Sequence, residues 1–242
     1  MFEAWGGYLR EAAWQRLQME LTSVQVEQFC RYGELLLTWN QKMNLTAITQ
    51  PKEVVIKHFI DSLAFGKLLP DFAVGIRLLD IGTGAGFPGI PLKLVNPGLE
   101  VVLVDALGKR LKFLQEVIAE LGLSGVDTVH ARAEEIGRNG EYREKYDVVT
   151  ARAVARLPVL LEYALPVLKV GGRFLAGKGH QADEEIREAD IALQVLSGRV
   201  ERVERFVLNE EAEHRAIIVV TKIATTAREY PRRIGVPEKK PL

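Results

Sequence analysis

The residues of this chain best suited to chemistry gather around one glycine-rich stretch, LLDIGTGAGFPG, residues 78–89. Two glycine registers overlap in it. Gly84, Gly86 and Gly89 fit the GxGxxG spacing that receives a dinucleotide pyrophosphate, while Gly82, Gly84 and Gly86 fit a GxGxG spacing with Asp80 in front. In either register glycine lets backbone approach a ligand, and a following helix aims free N–H groups at an anion. Asp80 separates the two, because a carboxylate beside the turn repels a pyrophosphate. It suits instead a ligand with an amino-acid head, whose ammonium it attracts while the N–H groups of residues 82–86 meet the carboxylate. S-adenosylmethionine is such a ligand. Asp105, closing the run VVLVD, can accept hydrogen bonds from both ribose hydroxyls, which implies an adenosine but fits either cofactor. Glu134, in HARAEE, is placed either to meet the adenine amino group or simply to open a helix. Arg152 carries a planar fork that suits the donor's carboxylate or a substrate phosphate. A methyltransferase with a small-molecule or protein substrate, and an NAD-dependent oxidoreductase using GxGxxG, are the rival readings.

These residues need a frame, and the pattern supplies one. Residues 1–72 read as helical: Ser23 is a plausible N-cap for a helix through Asn40, and Pro51 opens another through Leu69. From 73 to 224 apolar runs alternate with helical periodicity. Strands are predicted at 77–82, 100–105, 126–130, 146–151 and 173–177, and helices at 88–95, 108–121, 157–169 and 180–196. Such alternation gives a parallel sheet with helices on both faces. RVERVERFVL (199–208) and HRAIIVVTKI (214–223) form a hairpin candidate across 209–213, which puts an antiparallel pair at the sheet edge. The glycine turn then lies at the carboxyl end of the first strand, where such sheets hold ligands. An edge hairpin belongs to methyltransferases rather than to the usual dinucleotide domain. Gly89 reads as a helix-packing glycine that completes GxGxxG by coincidence.

Composition narrows the classes further. The chain has 242 residues, 48% hydrophobic and 26% charged, with a formal net charge of zero. That is the profile of a globular protein with no overall pull toward nucleic acid. No run of about 18 apolar residues exists to span a membrane. One cysteine, Cys30, fits a cytoplasmic setting, and His58, His130, His180 and His214 lie too far apart to suggest a metal. Charge concentrates in the tail, 225–242. From Lys222 onward six cations face Glu229 and Glu238, a local +4, and three prolines make an extended segment the expectation. It is either a solvated terminus or a phosphate-contacting arm.

The ordered motifs NLTAI (44–48), KHFIDSL (57–63), LLDIGTGAGFPGIPL (78–92), VVLVDALGKRLKFL (101–114), HARAEE (130–135), YDVVTARAVA (146–155), KG (178–179) and YPRRIGVPEKKPL (230–242) resemble the RsmG, or GidB, family of bacterial 16S rRNA guanosine-N7 methyltransferases. The match runs from residue 44 to the C-terminus; the first two motifs and the last are its specific part. Ala151 before Arg152 and Gly177 before Lys178 are small departures. The resemblance implies a class I α/β methyltransferase fold, a Rossmann-like seven-stranded sheet with an antiparallel edge hairpin and a helical N-terminal extension. It implies donor binding by Gly82, Phe87, Asp105, Ala106, Leu107, Ala133, Glu134 and Arg152, to which the charge and glycine pattern of the turn adds Asp80, Gly84 and Gly86. The partner would be 16S rRNA or the small ribosomal subunit, the protein a monomer, with no metal and no membrane. Asn44, His58 and Asp61 fall in the extension's motifs, and His58 and Asp61, three apart, share a helix face. They either reach the substrate beside Arg152 or form a packing network. Lys109, Arg110, Arg132, Lys178, Arg232 and Arg233 would make a phosphate-binding rim. Guanine N7 carries a lone pair and no proton, so the chemistry requires alignment and no general base.

Overall fold

The computed structural model describes residues 5–69, 75–208 and 213–242. The expected boundary at 72 and most of the hairpin turn, 209–212, lie outside those residues. Two helices open the chain, Gly6–Leu17 and Ser23–Met43. The second is capped by Thr22 rather than Ser23, because Thr22 and Gln25 complete a reciprocal capping box, with bonds of 3.2 and 2.9 Å. It also runs past Asn40, to Met43. The segment that Pro51 opens is not one regular helix. Pro51–Glu53 is α-helical, Val54–Ile60 a wide π-turn, Asp61–Leu63 α-helical and Ala64–Leu68 a 3-10 turn.

The sheet has seven strands: β1 (Arg77–Ile81), β2 (Glu100–Asp105), β3 (Val126–His130), β4 (Tyr146–Arg152), β5 (Leu168–Lys178), β6 (Gly198–Val207) and β7 (His214–Lys222). Their order is β3-β2-β1-β4-β5-β7-β6, with β7 antiparallel to both neighbours. Strand order reverses between β1, which leads to β2 on one side, and β4 on the other, so the carboxyl ends of β1 and β4 flank the natural ligand crevice. The α/β class I fold and its edge hairpin are as the sequence implies.

Alternate strand residues feed two cores. Leu78, Val101, Leu103, Val148 and Ile217 face the helical extension and share one buried cluster with Leu9, Phe29, Tyr32, Phe59 and Leu63. Leu79, Val104, Val149, Phe174 and Ile218 pack against the helices Leu157–Ala164 and Asp190–Leu196. The extension is therefore bonded to the sheet through a common core. Four predicted spans change. The helix expected over 157–169 stops at Ala164, since Pro166 has no N–H and disfavours helix before it, and β5 begins earlier, at Leu168. The helix expected over 180–196 is two, Ala182–Glu188 and Asp190–Leu196, and the tail is not extended, because it contains the turn of helix Val236–Lys239.

Candidate active site

The glycine turn follows β1, and backbone angles decide between its two registers. Gly82, Gly84 and Gly86 have φ of +63°, +61° and +97°, whereas Gly89 is an ordinary first residue of the helix Gly89–Val95. Gly89 is needed for packing, since a Cβ there would lie 2.4 Å from Leu103 Cδ2. At Gly84 a Cβ would meet only the Gly82 carbonyl oxygen, at 3.9 Å, so the turn is open on that side. This is a cradle that a side chain would fill and a ligand can. Asp80 does not line it. The carboxylate is wholly buried and accepts from Thr83 Oγ1 (2.6 Å), Thr150 Oγ1 (2.8 Å) and the Gly89 N–H (3.1 Å). Burial raises its pKa to about 6 against the pull of those bonds. The expected contact with a ligand ammonium is thus replaced by another task, tying turn, helix and β4 together.

Asp105 closes β2 and reaches the same turn. Its carboxylate accepts from the N–H groups of Gly84 (3.0 Å) and Leu107 (2.8 Å), and pairs with Arg110 at 3.1 Å. Ala106 and Leu107 follow at the surface, with the Ala106 carbonyl against His130 Nε2 at 3.0 Å. Ala133 and Glu134 start the short helix Ala133–Arg138. Glu134 is buried, and its Oε1 accepts the Gly235 N–H at 2.9 Å and faces the Tyr163 hydroxyl at 3.5 Å. The tail therefore wraps back to the helix that follows β3. The glycine cradle, with a carboxylate at the end of β2, suits the donor's amino-acid head and ribose.

Arg152, at the end of β4, ties this site to the extension. Its fork donates to Asp61 Oδ2 (2.8 Å) and to the carbonyls of Lys57 (3.1 Å) and His58 (3.4 Å), which the π-turn directs toward it. Its other nitrogen donates to His58 Nδ1 at 3.3 Å. An arginine has no lone pair to offer, so Nδ1 is the acceptor and the proton sits on Nε2, which meets Thr46 Oγ1 at 2.8 Å. Burial, reinforced by the guanidinium, lowers the imidazole pKa to about 3. The ring lies flat on Phe87, centroids 4.5 Å apart, and the guanidinium sits 5.2 Å from the same ring. His58, Asp61, Phe87 and Arg152 thus form one cluster. Asn44 does not join it. It is exposed, takes the left-handed conformation that ends the helix Ser23–Met43, and lines a different surface hollow.

A cleft of about 770 Å³ opens beyond Arg152, between the π-turn, the ends of β4 and β5 and the start of β7. Phe65, Val154 and Ile217 give it apolar walls, and Lys57, Arg152 and Arg215 cationic ones. The glycine turn is not part of its wall, but Val154 is, and a Cβ on Gly82 would lie 2.7 Å from Val154 Cγ2. Cradle and cleft are therefore neighbours, divided by Arg152 and Val154. The family described as rRNA small subunit methyltransferase G, GidB, matches residues 25–217.

This chain belongs to that family. Relatives named ribosomal RNA small subunit methyltransferase G include one from Desulfitobacterium hafniense, 58% identical over 228 residues and 94% of each chain. Another, from Staphylococcus epidermidis, is 51% identical over 224 residues and 93% of each chain. Among solved structures, a SAM-dependent methyltransferase from Aquifex aeolicus superposes with a TM-score of 0.56 at 17% identity, over 77% of this chain and 98% of the other. That likeness speaks for the fold.

Within this GidB chain the expected phosphate rim is thinner than its charges imply. Lys178 is buried, donating to the Ala155 carbonyl (2.6 Å) and pairing with Glu185 (2.6 Å); burial lowers its pKa. Arg110 is held by Asp105, and Arg232 grips the buried Glu162 through Nε (2.9 Å), Nη2 (2.6 Å) and its own N–H (2.7 Å). Lys109, Arg132 and Arg233 are exposed. The tail is neither frayed nor a free arm. Arg143 donates to the carbonyls of Thr226 (2.6 Å) and Tyr230 (2.8 Å), and Arg138 to that of Pro231 (2.7 Å). Sequence reasoning missed Tyr32, Thr150 and Arg215. Arg215 lies 3.7 Å from Asp61 and pairs with Glu213. Thr150 lies within the YDVVTARAVA stretch, but its bond to Asp80, like that of Tyr32 to Ala85 and the approach of Arg215 to Asp61, spans a long sequence separation.

Proposed function

We propose that this chain transfers the methyl group of S-adenosylmethionine to N7 of one guanosine in small-subunit 16S rRNA, by direct attack and without a general base. Family membership makes it an rRNA methyltransferase using that donor; the acceptor atom and mechanism are our reading. The observation that carries it is the cleft beside the glycine cradle, with Arg152 and Val154 between the two. Bound in the cradle, the donor presents an electrophilic methyl on a sulfonium. The turn, Asp105 and Glu134 orient it, and the flat His58–Phe87 stack keeps water from that side. Guanine N7 needs no deprotonation, and the cleft wall suits such an acceptor. His58 has both ring nitrogens engaged, while Asp61, Glu185 and Glu213 are ion-paired with Arg152, Lys178 and Arg215. As the N7–carbon bond forms the carbon–sulfur bond would break, releasing S-adenosylhomocysteine, so positive charge moves from sulfur to the purine and no proton has to be transferred. Incubation with labelled donor and 16S rRNA or small subunits from cells lacking the enzyme tests this. Label in a single guanosine is the expected result. Tight donor binding with no label in either RNA would refute the rRNA assignment.

A further inference from the structure

The glycine turn cannot satisfy its own backbone. Within a turn of this kind the carbonyl of Ala85 would find its donor three or four residues on. Three residues on stands Pro88, which has no N–H, and four residues on stands Gly89, whose N–H is taken by Asp80. Ala85 is buried, so water does not fill the gap. The donor comes instead from the extension: the hydroxyl of Tyr32, on the helix Ser23–Met43, bonds to the Ala85 carbonyl. Among the described residues no other donor reaches that oxygen. Tyr32 is fully buried, its ring stacked near Phe59 (5.6 Å) and Phe113 (6.4 Å) and tilted against Phe87 (5.4 Å). Its hydroxyl also fills the space beside Gly86, where a Cβ would come within 2.7 Å of it. Burial raises its pKa well above the phenol range, so the group stays a donor throughout the working pH.

We propose that Tyr32 is a positioning residue for the methyl donor: its hydroxyl, supplied by the helical extension to the Ala85 carbonyl, holds the Gly82–Gly86 turn in its binding conformation and couples the extension to donor affinity. This rests on the reading that the turn receives S-adenosylmethionine. Tyr32→Phe keeps the ring and removes the bond. The expected result is a rise of about tenfold in the dissociation constant and KM for S-adenosylmethionine, the size of one lost buried hydrogen bond, with KM for the RNA unchanged. Leu36→Val, a buried substitution one helical turn away, is the control for stability alone: it lowers Tm and leaves donor affinity at the wild-type value. Wild-type donor affinity in Tyr32→Phe, or an equal loss in Leu36→Val, overturns the proposal. Coupling is reciprocal, so the wild-type protein gives a second measurement that needs no variant. Adding S-adenosylmethionine should slow hydrogen exchange in the helix Ser23–Met43 around residue 32, and unchanged exchange there overturns the proposal too. If the wild-type protein fails to bind S-adenosylmethionine, the cofactor reading itself falls, an outcome distinct from both.

Discussion

Replacing Arg232 by alanine separates a structural anchor from an RNA contact. Glu162 is 1% exposed and receives the Arg232 guanidinium at 2.6 and 2.9 Å, together with the backbone N–H of the same residue. The variant leaves that buried carboxylate with one backbone donor. Removing one partner of a buried pair costs about 3–5 kcal/mol. Arg232 itself is 26% exposed, so water can reach part of the vacated space, and about 2–3 kcal/mol is the appropriate figure here. In a domain of this size each kcal/mol moves Tm by about 2–4 °C, giving a fall of roughly 4–12 °C. Differential scanning calorimetry reads the shift. RNA binding over a salt series, at a temperature where both proteins are folded, reads the rest. Affinity and the salt slope should match the wild type. An unchanged Tm with weaker RNA binding, and a slope smaller by about one, would show a phosphate contact and refute the anchor.

Other consequences are as direct. Gly84→Ala places a methyl group in the open cradle at positive φ, so it should cost about 1–2 kcal/mol in stability and weaken donor binding at least tenfold by calorimetric titration. Gly89→Ala drives a methyl group into Leu103 and should destabilise by about 1–3 kcal/mol in urea melts, while Gly84→Ala alone carries the direct affinity loss. Because the folded pKa of Asp80 is raised to about 6 from 3.8, its contribution to stability is complete below pH 4 and is lost as pH rises through 6. The stability of the wild type relative to Asp80→Asn should therefore fall by about 2 kcal/mol between pH 4 and pH 7, and an equal difference at both values would contradict the burial argument. Nitrogen NMR of labelled histidine should find the His58 ring neutral, with the proton on Nε2, from pH 5 to 8. A ring titrating near pH 6.5 would contradict the cluster drawn here.

The fold was legible because its signals are local. Apolar runs such as Leu78–Ile81 and Val101–Val104 mark buried parallel strands, and the charged alternation of 199–207 marks an edge. Local signals also explain the errors. Pro166 ends a helix whose apolar pattern continues, and Gln25 gives the cap to Thr22 over its neighbour Ser23. No glycine or proline marks the break at Ala189. The site was legible only as far as residue types allow. Asp80 looked like a ligand because, although its donors Thr83 and Gly89 are close in sequence, the third, Thr150, is 70 residues away. The tail's positive count misled for the same reason. Buried Lys222 pairs with Glu144, and Arg232 with buried Glu162, both pairs joined across the fold. Tyr32 has no motif at all; only the missing donors of Pro88 and Gly89 reveal its task.

In the mechanism proposed above, cradle and cleft align the reactants and no residue removes a proton. Single-turnover methyl transfer from labelled S-adenosylmethionine to unmodified small-subunit RNA, followed from pH 7 to 8.5, above the titration of Asp80, with nucleoside digestion of the product, tests this most directly. The expected rate is independent of pH across that range, with all label in 7-methylguanosine. A rate governed by a group titrating within the range, or label in another nucleoside, would contradict it.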